Sequence, residues 1–444
     1  MPDSSRRMIL GTVINSTGLH LAGWRYPSVA PAENSFAHYA RMAAIAERGK
    51  LDFLFFADSL AMMYANDPDV LQRLAPLNDY DPIILLSAVS VTTKNVGLIA
   101  SATTTYNEPF HLARKFASLD KISGGRAGWN VITSVNPDEA NNFAHMAQIP
   151  LEERYRRALE CVKVACDLWD SWGDDAVVAD KESALFYDNS KVRTIDHKGD
   201  FFSVKGPLTV QRPPQGHPVI VQSGSSDTGR SVGARIADVV FTAQQSLKEA
   251  QAFYRDVKAR VADVGRPPEQ VKVIPGVVPI IGRTMAEAKE KFDKIQMLIH
   301  PDVGLALLGH LLGEVDLKVY PLDGPVPDIP VGGGKHSRLA MLLDLARREN
   351  MTIRQLYMHV AAGARGHWTV HGDAKHIADV LEEWFRNEGA DGFSVIPPFF
   401  PEGLEDIVDV LVPELQRRGL FHEEYAPGNF RQKMGLANPH RIAV

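Results

Sequence analysis

Short apolar, β-branched runs alternate with stretches of helical periodicity along most of the chain. Eight runs have the length and composition of strands covered on both faces. They are Met8–Ile14, Phe53–Asp58, Val96–Thr104, Ala127–Ser134, Pro218–Gly224, Ala237–Ala243, Val271–Ile281 and Asp391–Pro397. Helical patterns occupy Ser35–Arg48, Pro82–Thr92, Leu112–Ile122, Leu151–Trp169, Gly229–Arg235, Lys248–Val264 and Ala374–Glu388. The alternation predicts an α/β fold, a (β/α)8 TIM barrel. A doubly wound open sheet fits the same pattern, since a sequence does not show whether a sheet closes.

The segment Thr103–Ser134 shows this pattern most clearly. It contains a strand end, an amphipathic helix and a second strand in direct succession. Gly124 and Gly125 follow the last apolar residue of the helical stripe and are typical of a helix end, where the backbone adopts a positive φ. A strand, a helix and a strand joined by short turns indicate neighbouring parallel strands.

We interpret residues 1–444 as one barrel domain with two insertions. Residues 170–216 combine short alternating runs with turn residues, which predicts an extra hairpin. Residues 284–366 mix helical stretches with a loop rich in proline and glycine. Insertions of this size between barrel elements are often lids or binding loops.

Composition narrows the range of partners. The chain is 45% hydrophobic and 23% charged, with a formal net charge of −6. No block of lysine and arginine stands out, so we expect neither nucleic acid nor an anionic membrane as a partner. We find no signal peptide and no apolar span long enough to cross a bilayer, and therefore expect a cytoplasmic protein. The only two cysteines, Cys161 and Cys166, project in different directions from one helix, which argues against a disulfide or a metal pair.

Polar side chains lie on or at the ends of several apolar strands. Asp58 ends one predicted strand, and Thr104, Asn130 and Ser134 lie in or beside two others. Ligands of parallel α/β folds bind at the carboxyl ends of the strands, so these residues are candidate ligand contacts. Three of them have a structural alternative, since Asp58 also suits a helix N-cap and Thr104 and Asn130 suit backbone capping.

A second candidate is the sequence Gly224–Ser226, which follows one strand and precedes a helix. Backbone N–H groups at a helix N-terminus bind anions, and the Ser225 and Ser226 hydroxyls add donors. Ordinary helix capping explains the same residues equally well.

Acid–base chemistry points to the histidines, of which the chain has fifteen. His310 stands in the apolar stretch LALLGHLLG, and His20 lies in a segment that we place over the barrel mouth. Imidazole titrates near neutral pH, which makes His310 the preferred candidate, although a buried histidine with satisfied hydrogen bonds is the commoner case. No HExxH or CxxC motif indicates a metal site, and no GxGxxG motif indicates a dinucleotide site.

Several motifs together resemble the flavin-dependent monooxygenases of the bacterial luciferase-like superfamily. The matching segments include ERGKLDFLFFAD, SGGRAGWNVITS, GPLTVQRPPQGHPVIVQSGSS, LIHPDVGL and GADGFSVIPP, in order along almost the whole chain. They are most similar to the branch that contains nitrilotriacetate monooxygenase component A, EDTA monooxygenase, dibenzothiophene-sulfone monooxygenase and the oxygenase of pristinamycin synthase.

The resemblance implies a barrel that binds reduced FMN at the carboxyl ends of its strands. Matched to this sequence, it implies that the flavin is contacted by a set of four residues and its phosphate by three more. The flavin contacts are Asp58, Thr104, Asn130 and Tyr155, and the phosphate contacts are Gly224, Ser225 and Ser226. Relatives often have a histidine four residues before the tyrosine, where this chain has Leu151. His310 matches a substrate-side histidine of the sulfone enzymes.

The activity implied is a two-component monooxygenase that uses FMNH2 and O2 and acts through a flavin C4a-hydroperoxide. Such an adduct requires that water be excluded by a lid and an apolar pocket. Phe55, Phe56 and Trp24 are candidates for the pocket walls, and ordinary core packing explains each of them equally well. A separate NAD(P)H:flavin reductase would supply FMNH2. We expect a homodimer or homotetramer, because barrels of this superfamily usually pair.

The substrate class remains open at this point. An aminopolycarboxylate such as nitrilotriacetate is our first expectation, from the resemblance alone, and an organosulfur compound is the alternative. Two further hypotheses are a deazaflavin-dependent oxidoreductase of the same superfamily and a non-catalytic flavin-binding barrel. The long insertion 284–366 argues mildly against the last, because a carrier has little need of a lid.

Overall fold

The computed structural model describes residues 6–30, 34–64, 67–76, 79–143, 148–313, 315–329, 336–363 and 366–439, apart from the side chains of residues 336–341. Eight parallel strands form a closed ring. They are β1 (Ile9–Val13), β2 (Phe53–Phe56), β3 (Gly97–Thr103), β4 (Ala127–Ile132), β5 (Val219–Gln222), β6 (Val239–Thr242), β7 (Lys272–Ile281) and β8 (Gly392–Val395). Each strand pairs with the next, and β8 pairs with β1. The predicted (β/α)8 barrel is confirmed, and the open sheet is wrong.

Helices cover the outside of the ring. Those between the strands are Phe36–Arg48, Pro82–Ser90, Pro109–Ser123, Leu151–Trp169, Asp227–Ile236, Leu247–Asp263 and Ala374–Arg386. After β8 the chain forms Glu402–Asp406, a π-helical turn Ile407–Leu411 and Val412–Arg417. Shorter helices are Pro68–Leu71 and Phe430–Lys433, and 3-10 turns are Gly23–Arg25, Pro137–Asn142, Asn189–Lys191 and Pro268–Gln270. No helix in these described ranges is long and apolar enough to cross a membrane.

Residues 170–216 contain two antiparallel strand pairs where the sequence predicts one hairpin. Val177–Asp180 pairs with Leu185–Tyr187, and His197–Lys198 pairs with Ser203–Val204. The second pair has only two residues in each strand, which is too short for an alternating pattern to be visible in the sequence.

Between β7 and β8 lies the long insertion, residues 284–366, whose described parts are mainly helical. Its helices are Met285–Met297, Pro301–Leu311, His336–Arg348 and Ile353–Ala362. A ninth strand follows, Trp368–Gly372, which is absent from the strands predicted from the sequence. It pairs with the second half of β7, from Val277 to Ile281, outside the ring. β7 is long enough to pair with β6 through its first half and with this outer strand through its second.

The barrel interior is apolar at its lower end, where the strands begin. Alternate residues of β2 face opposite sides, so Phe53 and Phe55 lie in the interior cluster while Leu54 and Phe56 lie under the helices. The C-terminal tail closes this end, because Phe430 inserts into the interior cluster and its ring fills the space beside Gly97. A Cβ on Gly97 would overlap that ring.

We expect Phe430→Ala to lower the free energy of unfolding by about 3–5 kcal/mol, because it removes a fully buried ring from a packed interior. Chemical denaturation measures the change. The matched control is Phe186→Ala, since Phe186 is 64% exposed and the same substitution there should change stability by less than about 0.5 kcal/mol. Equal effects of the two substitutions would contradict the proposed closure by the tail.

Candidate active site

A polar chain crosses the interior at the level of β3, β4 and β5. The Asn130 side-chain amide donates a hydrogen bond to the Ser101 hydroxyl at 2.8 Å and accepts one from the Ser223 hydroxyl at 3.1 Å. Asn130 and Ser101 are both only 2% exposed. The apolar interior of the lower barrel therefore gives way to a polar layer, which includes the predicted contact Asn130.

The ends of β3 and β4 are held together by hydroxyls and by two arginines. The Thr103 and Ser134 hydroxyl oxygens lie 2.7 Å apart, and Ser134 has a positive φ of 54°. Arg154 donates hydrogen bonds to the carbonyl oxygens of Thr133, at 2.9 Å, and Ser134. One turn later, Arg157 donates to the Thr104 carbonyl at 3.1 Å.

Arg154 differs from the rest of its helix start. The charged sequence LEERYRRALE favours a mostly solvated face, and Glu152, Glu153 and Arg156 are indeed exposed, but Arg154 is only 5% exposed and burial lowers its pKa from the ordinary value. Guanidinium remains charged under such conditions and offers several donors to carbonyl groups. Tyr155 is half-buried in the same first turn, and Leu151, where relatives often have histidine, is exposed.

The segment Gly224–Ser226 joins β5 to the helix Asp227–Ile236. Ser226 is the N-cap of that helix and accepts a hydrogen bond from the Gly229 N–H at 3.0 Å. The Ser225 hydroxyl oxygen lies 3.2 Å from that of Thr242, and both serines are exposed. Gly224 lies so close to the helix that a Cβ there would be 3.0 Å from the Cα of Gly229. Capping and anion binding are therefore compatible at this helix end.

A cavity of about 390 Å³ opens beside these strand ends, over β1 and β2. Its walls come from the loops after these strands, from residues 71–76 and from the helix Pro301–Leu311 of the long insertion. They are mainly apolar and include Leu19, Leu60, Met62, Met63, Leu74 and Leu307. Neutral polar groups such as Asn15, Ser59 and Asn142 complete the lining.

His20 lines this cavity but is not poised to titrate near neutral pH. It is 3% exposed, and its Nδ1 accepts a hydrogen bond from the Ala22 N–H at 3.1 Å. Burial lowers its pKa to about 4, although the Gln296 side chain opposes the shift. His20 is therefore neutral under ordinary conditions. His310 lies in the last turn of the helix Pro301–Leu311, is exposed, and does not line the cavity.

The remaining candidates lie at different places. Asp58 follows β2 and is half-buried, directly before the cavity residue Ser59. Trp24 is 41% exposed, donates a hydrogen bond to the Arg73 carbonyl at 3.1 Å, and lines a neighbouring cleft. Phe56 does not face the mouth. It packs under the helices with its ring centroid 5.8 Å from that of Tyr39.

The interior aromatic wall is formed by Phe55, one position before the other candidate, Phe56. The Phe55 ring stacks on Phe241 with a centroid distance of 5.4 Å.

The residues that hydrogen-bond to the candidate site residues were not predicted from the sequence. These partners are Ser101, Ser223, Arg154 and Arg157. Ser101 and Ser223 carried a visible signal, because a serine within or directly after an apolar strand must find a hydrogen-bond partner.

Comparison with known proteins gives the family. Residues 17–391 match the family described as luciferase-like monooxygenase. The chain is 48% identical to nitrilotriacetate monooxygenase component A of Aminobacter aminovorans, over 98% of both proteins. It is 45% identical to N-acetyl-S-(2-succino)cysteine monooxygenase of Bacillus subtilis (strain 168), over 99% of both.

Among solved structures, EDTA monooxygenase (EmoA) from Chelativorans sp. BNC1 is similar with a TM-score of 0.81 and 32% identity, covering 98% of this chain and 99% of that one. The resemblance drawn from the motifs is confirmed. The chain belongs to the luciferase-like monooxygenase family and is an enzyme of the monooxygenase class.

Proposed function

We propose that this protein is an FMNH2-dependent two-component monooxygenase that acts through a flavin C4a-hydroperoxide on a small organic substrate. The observation that carries the proposal is the juxtaposition of an exposed serine pair at a helix N-terminus, a polar interior layer and an apolar cavity at one end of the barrel. The helix N-terminus suits a phosphate, the polar layer suits a polar heterocycle, and the apolar cavity suits an organic substrate.

The residues present fit FMN. The Ser225 and Ser226 hydroxyls and the helix N-terminus suit its phosphate, because they combine exposed donors with the positive end of the helix dipole. The Asn130 amide, held between two hydroxyls, presents a fixed polar group to the ring. Thr104, Ser134, Tyr155 and Asp58 surround the same strand ends.

Bound reduced FMN would supply two electrons to O2, so that one oxygen atom enters the substrate and the other leaves as water. The protein itself would hold the cofactor and substrate in position and exclude water from the reacting atoms. Arg154 and Arg157 fix the ends of β4 and β3, which keeps the polar groups in place. The Leu and Met side chains of the cavity keep water from the reacting atoms.

A separate NAD(P)H:flavin reductase in the cytoplasm would supply FMNH2. The designation of one relative as component A supports a two-component system. We also propose a homodimer or homotetramer, supported by the strongly exposed apolar residues Ile84 and Val91 near one helix, and light scattering would measure the mass directly.

For the substrate, an aminopolycarboxylate such as nitrilotriacetate is the first candidate, supported by the identity to nitrilotriacetate monooxygenase component A. An organosulfur compound is the second, and the apolar walls of the cavity favour it. The relative named for N-acetyl-S-(2-succino)cysteine acts, by its name, on a compound that has both sulfur and carboxylates.

We expect the protein to bind reduced FMN anaerobically and, after rapid mixing with oxygenated buffer, to delay the return of the oxidised flavin spectrum. The apolar walls of the cavity should slow water access and so slow uncoupled oxidation. Stopped-flow absorbance measures the delay against free FMNH2. Oxidation at the free-solution rate would argue for a flavin carrier, and failure to bind FMNH2 would favour the deazaflavin.

We expect Ser225→Ala to weaken FMN binding by about tenfold, since a hydrogen bond to a charged phosphate contributes about 1.5–3 kcal/mol. Riboflavin lacks the phosphate, so its affinity should not change, and fluorescence titration with both ligands makes the comparison. An equal loss for riboflavin would mean that Ser225 contacts the ring or supports the fold instead.

Met62→Lys separates the two substrate classes. Met62 lines the cavity and is 56% exposed, so a lysine there adds a charge without filling a core position. For a neutral sulfone we expect kcat/KM to fall about tenfold, because apolar burial of one such side chain contributes about 1.5 kcal/mol or more. For nitrilotriacetate we expect no fall, and turnover of nitrilotriacetate alone would refute the organosulfur alternative.

A further inference from the structure

A second cavity lies at the opposite end of the barrel, where the strands begin. Its volume is about 360 Å³, within the range of small-ligand sites. It lies between the starts of β1, β7 and β8 and the C-terminal tail. The packed interior cluster, including Phe53 and Phe430, separates it from the mouth.

Cationic side chains from three parts of the chain converge on this cavity. Arg6 and Arg7 come from the segment before β1, Lys272 begins β7, and Lys433 comes from the tail helix Phe430–Lys433. Residues so far apart in sequence meet only because the barrel closes and the tail folds under it. Such convergence is the usual arrangement for binding a multiply charged anion.

The acids that line the cavity neutralise only one of these four cations, Arg6. Asp391 is already paired with Arg6 at 2.6 Å and with Lys258 at 3.0 Å. Glu424 is 81% exposed and pairs with Lys50. Asp52 is buried and accepts a hydrogen bond from the Leu10 N–H at 2.8 Å. Burial raises its pKa to about 8, which keeps it neutral at pH 7.

Three cations are left over. Among the described residues, no carboxylate lies within ion-pair distance of Arg7, Lys272 or Lys433. The Lys272 ammonium donates to the Glu269 carbonyl at 2.8 Å, and the Lys433 ammonium donates to Asn95 at 3.2 Å. Burial lowers the pKa of both lysines, and this effect outweighs that of nearby carboxylates such as Asp391, which acts in the opposite direction on Lys272. A bound anion would replace the solvation that these ammonium groups have lost.

We propose that this lower cavity is a second ligand site, which binds a phosphate or diphosphate group. The ring of Tyr425 also lines it, but that ring already contacts the ammonium groups of Lys433, at 5.0 Å, and Lys50, at 5.8 Å. Its hydroxyl donates to the Leu51 carbonyl at 2.8 Å. The site thus recognises the anionic group and offers no free aromatic face to a base.

Calorimetric titration of pyrophosphate into the FMN-saturated protein tests the proposal. Bound FMN would occupy the other proposed phosphate site, at the helix N-terminus of the mouth, so pyrophosphate would bind only at the lower cavity. We expect one equivalent to bind, and Lys272→Gln and Lys433→Gln each to weaken binding about tenfold, with FMN affinity unchanged. Lys248→Gln is the matched control, since Lys248 is exposed on another helix and should leave the affinity unaltered.

A parallel titration with ADP distinguishes a site for a free diphosphate from a site for a nucleotide. Equal affinity for ADP and pyrophosphate would mean that the diphosphate alone is bound, and tighter ADP binding would identify a nucleotide. The absence of pyrophosphate binding at millimolar concentration would overturn the proposal. So would equal affinity in wild type, Lys272→Gln and Lys433→Gln. Thermal unfolding of each variant verifies its fold, and because Lys272 and Lys433 lie on different elements, either variant suffices if the other is unstable.

Discussion

Closure of the ring forces every second residue of each strand into a space that bulk water does not reach, and the other features of the molecule follow from this constraint. At the lower end the enclosed positions are occupied by residues such as Phe53 and Ile99, which bury apolar area. At the upper end they include Ser101 and Asn130, whose polar atoms would be costly to bury without partners. The hydrogen bond between Asn130 and Ser101, together with the one from Ser223 to Asn130, offsets the free-energy cost of burying this polar layer.

Parallel strands end with carbonyl groups that no further strand residue satisfies. Directly after β3 and β4, carbonyl groups accept hydrogen bonds from Arg157 and Arg154, which belong to the first two turns of the helix Leu151–Trp169. Two hydrogen bonds from Arg154 to carbonyl oxygens offset part of its desolvation. The helix start therefore determines where Thr104 and Ser134 lie, so a site on loops acquires the rigidity of the barrel.

Much of the fold follows from the sequence, because all eight strands of the ring lie inside the predicted apolar runs. Period-two alternation shows which residues share a face, but not which face is inside. In the run of β2 both faces are apolar, so the sequence does not distinguish Phe55, which faces the interior, from Phe56, which faces the helices. The outer strand Trp368–Gly372 is as long as β1, but its sequence WTVHG mixes apolar and polar residues and follows a helical insertion, where no pattern indicates a pairing with the end of β7.

The candidate site was predictable to the extent that single polar residues interrupt apolar runs. Asn130 is visible in this way, since an amide in a buried strand needs partners. Arg154 is not, because a charged helix start is usually solvated, and only the path of the chain after β4 brings it under the strand ends. The same reasoning applies to His20, whose neutral state depends on its burial in the folded chain.

The two ends of the barrel present opposite chemistry to ligands. The mouth combines neutral polar groups with apolar walls, whereas the lower cavity concentrates positive charge that its own acids do not balance. Between them lies a packed interior with the Phe430 ring at its base. Energetic coupling between two sites requires an element with two arrangements that both ligands bias. Between the cavities the described residues form one packed interior cluster, so we expect ligands at the two ends to bind independently.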